Sequence, residues 1–117
     1  MPKKFIRSFR YARAGAEHAL RTQRNIWVHL GIGLLVIGLA IGLRVDRIEM
    51  AVLVLTIAFV IAAEMFNTAI EEVVNLAKPE HHPLAGLAKN VAAGAVLVAA
   101  LGATAVGILI FIPRILK

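Results

Sequence analysis

Val91–Ile112 is a run of 22 residues without a single charge. A helix needs about 20 such residues to cross a hydrocarbon core roughly 30 Å thick. Within that core only helices and closed barrels satisfy their own backbone hydrogen bonds. Two shorter runs precede it. Ile26–Leu43 holds 18 residues whose one titratable group is His29, and Met50–Ala63 holds 14 uncharged residues. Soluble domains are about 45–50% apolar; this 117-residue chain is 60% hydrophobic, with a mean hydropathy of +0.82. The pattern predicts one all-α membrane domain over residues 1–117, with membrane helices at 26–43, 50–77 and 91–112. Lys78-Pro79 is the expected stop of the second, because proline cannot continue the hydrogen-bond ladder, and Glu80–Asn90 is expected to be a polar connection.

The charges are unevenly placed. Seven Lys/Arg lie between Lys3 and Arg24, interleaved with Phe5, Phe9, Ala12, Ala16, Ala19 and Leu20 at helical spacing. Residues 3–24 therefore predict an amphipathic helix lying on the membrane surface. The net charge of +6 does not point to nucleic acid, because no basic face studded with aromatics is present. It points to anionic lipid. With three spans and the N-terminus inside, nine Lys/Arg face the cytoplasm (the seven plus Lys78 and Lys89) and four face outward (Arg44, Arg47, Arg114, Lys117), which favours that orientation. The absence of cysteine excludes disulfides and thiolate metal sites. Small residues are dense in the spans, among them Gly31, Gly33, Gly38, Gly94, Gly102 and Gly107, and allow close helix packing. Three helices enclose little space, so an oligomer is expected.

The chemistry concentrates where the second apolar run ends. Glu64, Asn67 and Glu71 are spaced three and four apart and share one helical face. An acid at the edge of hydrocarbon is costly without a partner or a task. Glu64 reads either as a paired or half-solvated acid, or as a general base. Asn67 suits a bridge between the two acids or a hydrogen bond between helices. Glu71 is a candidate ligand for magnesium, which favours one or two carboxylates together with phosphates. Glu72 reads as a surface carboxylate. Lys89 suits phosphate oxygens as a point charge or snorkelling to the interface, and Lys4 and Arg7 carry the same two readings. His29, Tyr11 and Trp27 read as interfacial residues. Glu80-His81-His82 has neither zinc-site spacing nor further ligands. No glycine-rich phosphate loop is present.

The stretch Glu64-Met-Phe-Asn-Thr-Ala-Ile-Glu71, followed by His82-Pro-Leu-Ala and Ala88-Lys-Asn-Val-Ala-Ala-Gly-Ala-Val-Leu-Val98, resembles the small integral-membrane lipid kinases of bacteria. This is the diacylglycerol kinase/undecaprenol kinase family. The likeness runs from Arg7–Tyr11 and Arg24-Asn25 to Ile110-Phe-Ile-Pro113, and His-His-Pro-Leu-Ala and Phe-Ile-Pro lean toward the undecaprenol kinase branch. The resemblance implies a homotrimer in the bacterial inner membrane, with one surface helix and three membrane helices per subunit. It implies transfer of the γ-phosphate of ATP to a lipid alcohol, with Mg2+. By position, Glu64 matches the catalytic base, with Asn67 beside it; Glu71 matches a metal-binding glutamate; Lys89 matches the lysine on the ATP phosphates. Lys4, Arg7 and Tyr11 match the nucleotide side of the surface helix, and Glu80 and His82 match the loop near the nucleotide.

Three positions depart from the family pattern. Gln23 stands where a second metal-binding glutamate is common, and Asn75 and Asn90 stand where aspartates are common near the nucleotide. An amide keeps an oxygen but loses the charge. The alternatives to an active lipid kinase are a catalytically weakened or inactive homologue and a non-enzymatic membrane scaffold or transporter subunit.

Overall fold

The computed structural model describes residues 1–78 and 80–117, and no strand occurs among them. Four helices follow one another: α1 Pro2–Thr22, α2 Arg24–Gly42, α3 Arg47–Ala77 and α4 Pro83–Ile115. Their ends are set by local chemistry. The Asp46 carboxylate accepts from Glu49 N at 2.8 Å, and the Glu49 carboxylate accepts from Asp46 N at 3.3 Å. This capping box satisfies orphan donors at the start of α3. The α2 end closes with Arg44 N donating to the Ile41 carbonyl and Val45 N to the Ala40 carbonyl, both at 3.1 Å. Arg44 takes the left-handed conformation (φ 55°) that this termination needs. Val45 then packs against buried Ala40, with Leu53, Ile110 and Phe111 completing the cluster.

The polar connection expected over residues 80–90 is shorter than anticipated. His82 Nδ1 accepts from Leu84 N at 3.1 Å, and Pro83 occupies the first turn, where its missing N–H costs nothing. Leu84, Leu87 and Val91 then carry a helical apolar stripe straight into the span. Thus α4 begins at Pro83 rather than at Val91. The other helix ends fall within three residues of the expected ones. Pro79, the expected stop of α3, lies outside the described residues.

Helix length explains how the molecule is layered. At 1.5 Å per residue, α2 is about 29 Å long, α3 about 46 Å and α4 about 50 Å. All three start or finish together at one end. There the Arg114 guanidinium bonds Glu49, through Nε at 3.0 Å and more closely through Nη2. It also donates to the Arg44 carbonyl at 3.3 Å and lies 3.7 Å from Asp46. At the other end α3 and α4 therefore overshoot α2 by roughly 17 and 21 Å. The chain folds α1 against this overhang. Gln23 is extended (φ −114°, ψ 109°) and forms the elbow. Trp27 Nε1 braces it by donating to the Leu20 carbonyl at 2.6 Å, and His18 meets Glu72 of α3 at 2.5 Å. Only Ala19 of α1 is buried, so the Phe5 and Phe9 face is left for the membrane interface. α2, α3 and α4 are each long and apolar enough to cross a membrane. The chain is an all-α membrane protein with three such helices and one amphipathic surface helix.

The α2–α3 contact depends on one missing side chain. A Cβ on Gly33 would lie 2.9 Å from Ile57 Cγ2, whereas one on Gly38 would meet nothing within 4 Å. Gly33→Leu is expected to part the helices and cost about 1–3 kcal/mol, as overpacking does. Gly38→Ala is expected to leave stability within about 0.5 kcal/mol. Unfolding midpoints in mixed detergent and dodecyl sulfate measure both; equal midpoints for the two variants would remove Gly33 from the packing.

Candidate functional site

The overhang geometry carries the second helix's polar face to the level where α2 begins. Glu64 lies about 26 Å along α3 from Arg47, and His29 lies within the first two turns of α2. Glu64, Asn67 and Thr68 are the buried polar residues of the described chain. Glu64 is 2% exposed, so it faces neighbouring helices rather than acyl chains. Its Oε1 lies 3.1 Å from His29 Nε2. An ionised carboxylate has only acceptors, so Nε2 is the donor in that state. Thr68 ties its hydroxyl to the Glu64 carbonyl at 3.0 Å, a bond within the turn that keeps the hydroxyl satisfied.

Asn67 sits one turn nearer the overhang. Its Nδ2 donates to Glu71 Oε1 at 3.0 Å, while its buried Oδ1 has no hydrogen-bond partner among the described residues. Of the two acids it was expected to bridge, Asn67 reaches Glu71 alone; Glu64 is held from α2 instead. His29 is therefore not the simple interfacial residue that the sequence suggested. Glu72 is the surface carboxylate the sequence suggested, and it also anchors His18 of α1. The sequence did hold a sign of the first pairing. His29 is the single titratable residue in its apolar run, and Glu64 is the first acid after another. Two polar groups isolated in neighbouring spans reduce each other's cost by meeting.

The remaining predicted residues form separate groups. Asn75, Lys78, Glu80, His82 and Lys89 line an open hollow of about 360 Å³ between the end of α3 and the start of α4. Lys78 and Glu80 approach to 4.0 Å across it. His82 is engaged through Nδ1 in capping α4, and Lys89 is half-buried about two turns further on. Asn90 is exposed on the far side of Lys89. Lys4, Arg7 and Tyr11 are exposed on α1, where Arg7 lines a shallow hollow with Lys3, Ile6 and Arg10. Gln23 is half-buried at the elbow with no side-chain capping bond. Within one protomer the structure thus joins Asn67 to Glu71, and Asn75, Glu80 and His82 to Lys89. No hydrogen bond or ion pair among the described residues links these groups to each other or to Lys4, Arg7 and Tyr11, although Glu71 and Asn75 lie one turn apart on α3.

Among the described residues no three His, Asp or Glu side chains converge as a metal cluster. Glu71 and the orphaned Asn67 Oδ1 supply two oxygen donors of the type a hard cation takes. With one carboxylate and one amide, the donor set fits magnesium carried by a polyphosphate rather than a free-standing ion site.

A buried acid where an apolar run ends, an amide–acid pair one turn beyond it and a lysine-lined hollow further out define a membrane protein with polar chemistry at one bilayer boundary. A family model described as prokaryotic diacylglycerol kinase matches residues 10–111. The chain belongs to that family. It is 46% identical over 111 residues to a diacylglycerol kinase of Synechocystis, covering 94% of this chain and 63% of that protein. It is 38% identical over 112 residues to the undecaprenol kinase of Bacillus subtilis, covering 96% of this chain and 91% of that one. To the diacylglycerol kinase of Escherichia coli K12 it is 39% identical over 66 residues, 56% of this chain and 54% of the relative. The chain thus spans less than two thirds of the Synechocystis relative's length.

Proposed function

We propose that this chain, as a single domain, is a lipid kinase that moves the γ-phosphate of ATP to the hydroxyl of a membrane lipid alcohol, undecaprenol or diacylglycerol. The observation that carries this reading is Glu64: a carboxylate withdrawn from water at the edge of the bilayer, where a lipid hydroxyl would arrive. Glu64 takes the hydroxyl proton, the alkoxide-like oxygen bonds to phosphorus, and the bond to the ADP oxygen breaks. Phosphoryl transfer asks mainly for positioning and charge neutralisation. Lys89 meets phosphate oxygens as a point charge, beside the hollow lined by Asn75, Glu80 and His82. Asn90 follows it without the charge of an aspartate. Lys4, Arg7 and Tyr11 on α1 cover the nucleotide side. Glu71, with the amide oxygens of Asn67 and Gln23 as uncharged donors, would hold the Mg2+ that accompanies ATP, and the ion would supply Lewis-acid neutralisation of the phosphates. The lipid tail stays among the helices, so only the headgroup travels to the aqueous rim.

The homotrimer that the family likeness implies would let neighbouring subunits complete each site. The Lys/Arg distribution supports insertion in the bacterial inner membrane with the N-terminus in the cytoplasm. The test is coupled ADP release by the purified protein in detergent micelles with ATP, magnesium and either lipid alcohol. Release that depends on undecaprenol or on diacylglycerol is the expected result, and the preferred alcohol identifies the acceptor. Failure of both alcohols to stimulate ADP release would overturn the reading. The amides at Gln23, Asn75 and Asn90 support a second one, a weakened homologue, which nucleotide binding without turnover would select.

A further inference from the structure

His29 has no part in the chemistry described so far, yet among the described residues it is the side chain that hydrogen-bonds the Glu64 carboxylate. Its Nε2 lies 3.1 Å from Glu64 Oε1, with the two side chains 23% and 3% exposed. α2 contributes no other titratable residue beyond Arg24 at its start. The wall beside the imidazole is otherwise uncharged: Ile57 and Val60 from α3, Ala100, Ala103 and Thr104 from α4. Glu64 forms no other ion pair among the described residues.

From this pairing we infer that His29 is a positioning residue for Glu64, a role that rests on the kinase reading above. A carboxylate withdrawn from water without a partner is strongly disfavoured. A glutamate side chain also has three rotatable bonds, and a base that wanders among rotamers is seldom aligned. The imidazole answers both needs. Its N–H donates to Oε1, which gives the buried carboxylate a hydrogen-bonded partner and fixes it in one orientation. Oε2 is left to receive the lipid hydroxyl proton. The logic is that of an orienting partner in a catalytic triad with the residue types exchanged: the imidazole orients and the carboxylate accepts.

The experiment compares wild type, His29→Leu and His29→Gln in the lipid-dependent ADP-release assay, with oligomer size followed by size-exclusion chromatography. His29→Leu is expected to lower kcat about 10- to 100-fold, on the scale of removing a side chain that orients a metal ligand. KM for ATP and for the lipid should hold. His29→Gln keeps a neutral donor at similar reach and should recover most of the lost kcat. A partner needed only for folding would change yield and assembly size without this split between kcat and KM. An unchanged kcat in folded His29→Leu, beside an active wild type, overturns the role of His29 alone; an inactive wild type overturns the kinase reading and this role together. Where His29→Leu does not assemble, the 15N resonance of the His29 imidazole in wild-type micelles decides. Glu64→Gln should move it, and no movement overturns the pairing.

Discussion

Glu64→Gln is expected to abolish phosphoryl transfer while leaving the assembled protein intact. Glutamine has the shape of glutamate, and its carbonyl oxygen can still accept from His29 Nε2, which lies 3.1 Å from Glu64 Oε1. The packing around this 2%-exposed position therefore needs no change. What disappears is the ability to take a proton. General-base catalysis is worth about 10²–10⁴-fold, so kcat should fall by at least two orders of magnitude. Stability should move the other way or not at all, because a neutral amide is cheaper than a carboxylate to withdraw from water. The paired measurements are kcat with saturating lipid and the thermal midpoint in the same detergent. A variant that keeps kcat within about threefold would remove Glu64 as the base, since no general base contributes so little. A variant that loses activity and assembly together would show a structural acid instead.

The parts of this architecture that depend on local sequence were legible in it. Uncharged runs announced the three apolar helices, and the three- and four-residue spacing of Glu64, Asn67 and Glu71 announced a shared face, on which Asn67 and Glu71 are indeed bonded. What depends on how one helix sits against another was not legible. The partner of Glu64 comes from a residue 35 positions earlier, and the partner of Glu72 from one 54 positions earlier. The first pairing needs only α2 packed antiparallel on α3; the second follows from α2 being about 17 Å shorter than α3, which lets α1 fold onto the overhang at Gln23. That length difference was already visible in the expected spans, 26–43 against 50–77; what was hidden was the early start of α4, because residues 78–90 read as a loop. Lys89 and Asn90 made the segment look polar, while the His82 cap and Pro83 made it a helix. The chemical roles of Lys4, Arg7, Tyr11 and Lys89 rest on family likeness, because one protomer leaves them apart from Glu64.

Glu71→Gln is expected to have the second large effect, and its size follows from what stands at position 23. A magnesium ion escorting ATP commonly uses one or two protein carboxylates. Gln23 supplies none, so Glu71 is the one charged protein ligand left to this candidate site. Glu72 cannot stand in, since it is committed to His18 at 2.5 Å. Asn67 offers only its amide oxygen. Glu71→Gln therefore takes the protein's contribution to zero formal charge. Activity should fall by about 10²-fold or more at millimolar magnesium, the scale of losing a charged partner to a phosphate-bound cation. The rest of α3 should be unaffected, because the substituted side chain's amide oxygen can still accept from Asn67 Nδ2. The reciprocal change is the sharper test. Gln23→Glu adds a carboxylate at the elbow between α1 and α2, and should lower the magnesium concentration for half-maximal activity by about tenfold, since about 1.4 kcal/mol of added ion pairing is one decade in affinity. Paramagnetic manganese in place of magnesium reads the same affinity with ATP bound but no lipid present, independently of turnover. If neither variant shifts the metal dependence in either measurement, the cation does not lie between Gln23 and Glu71.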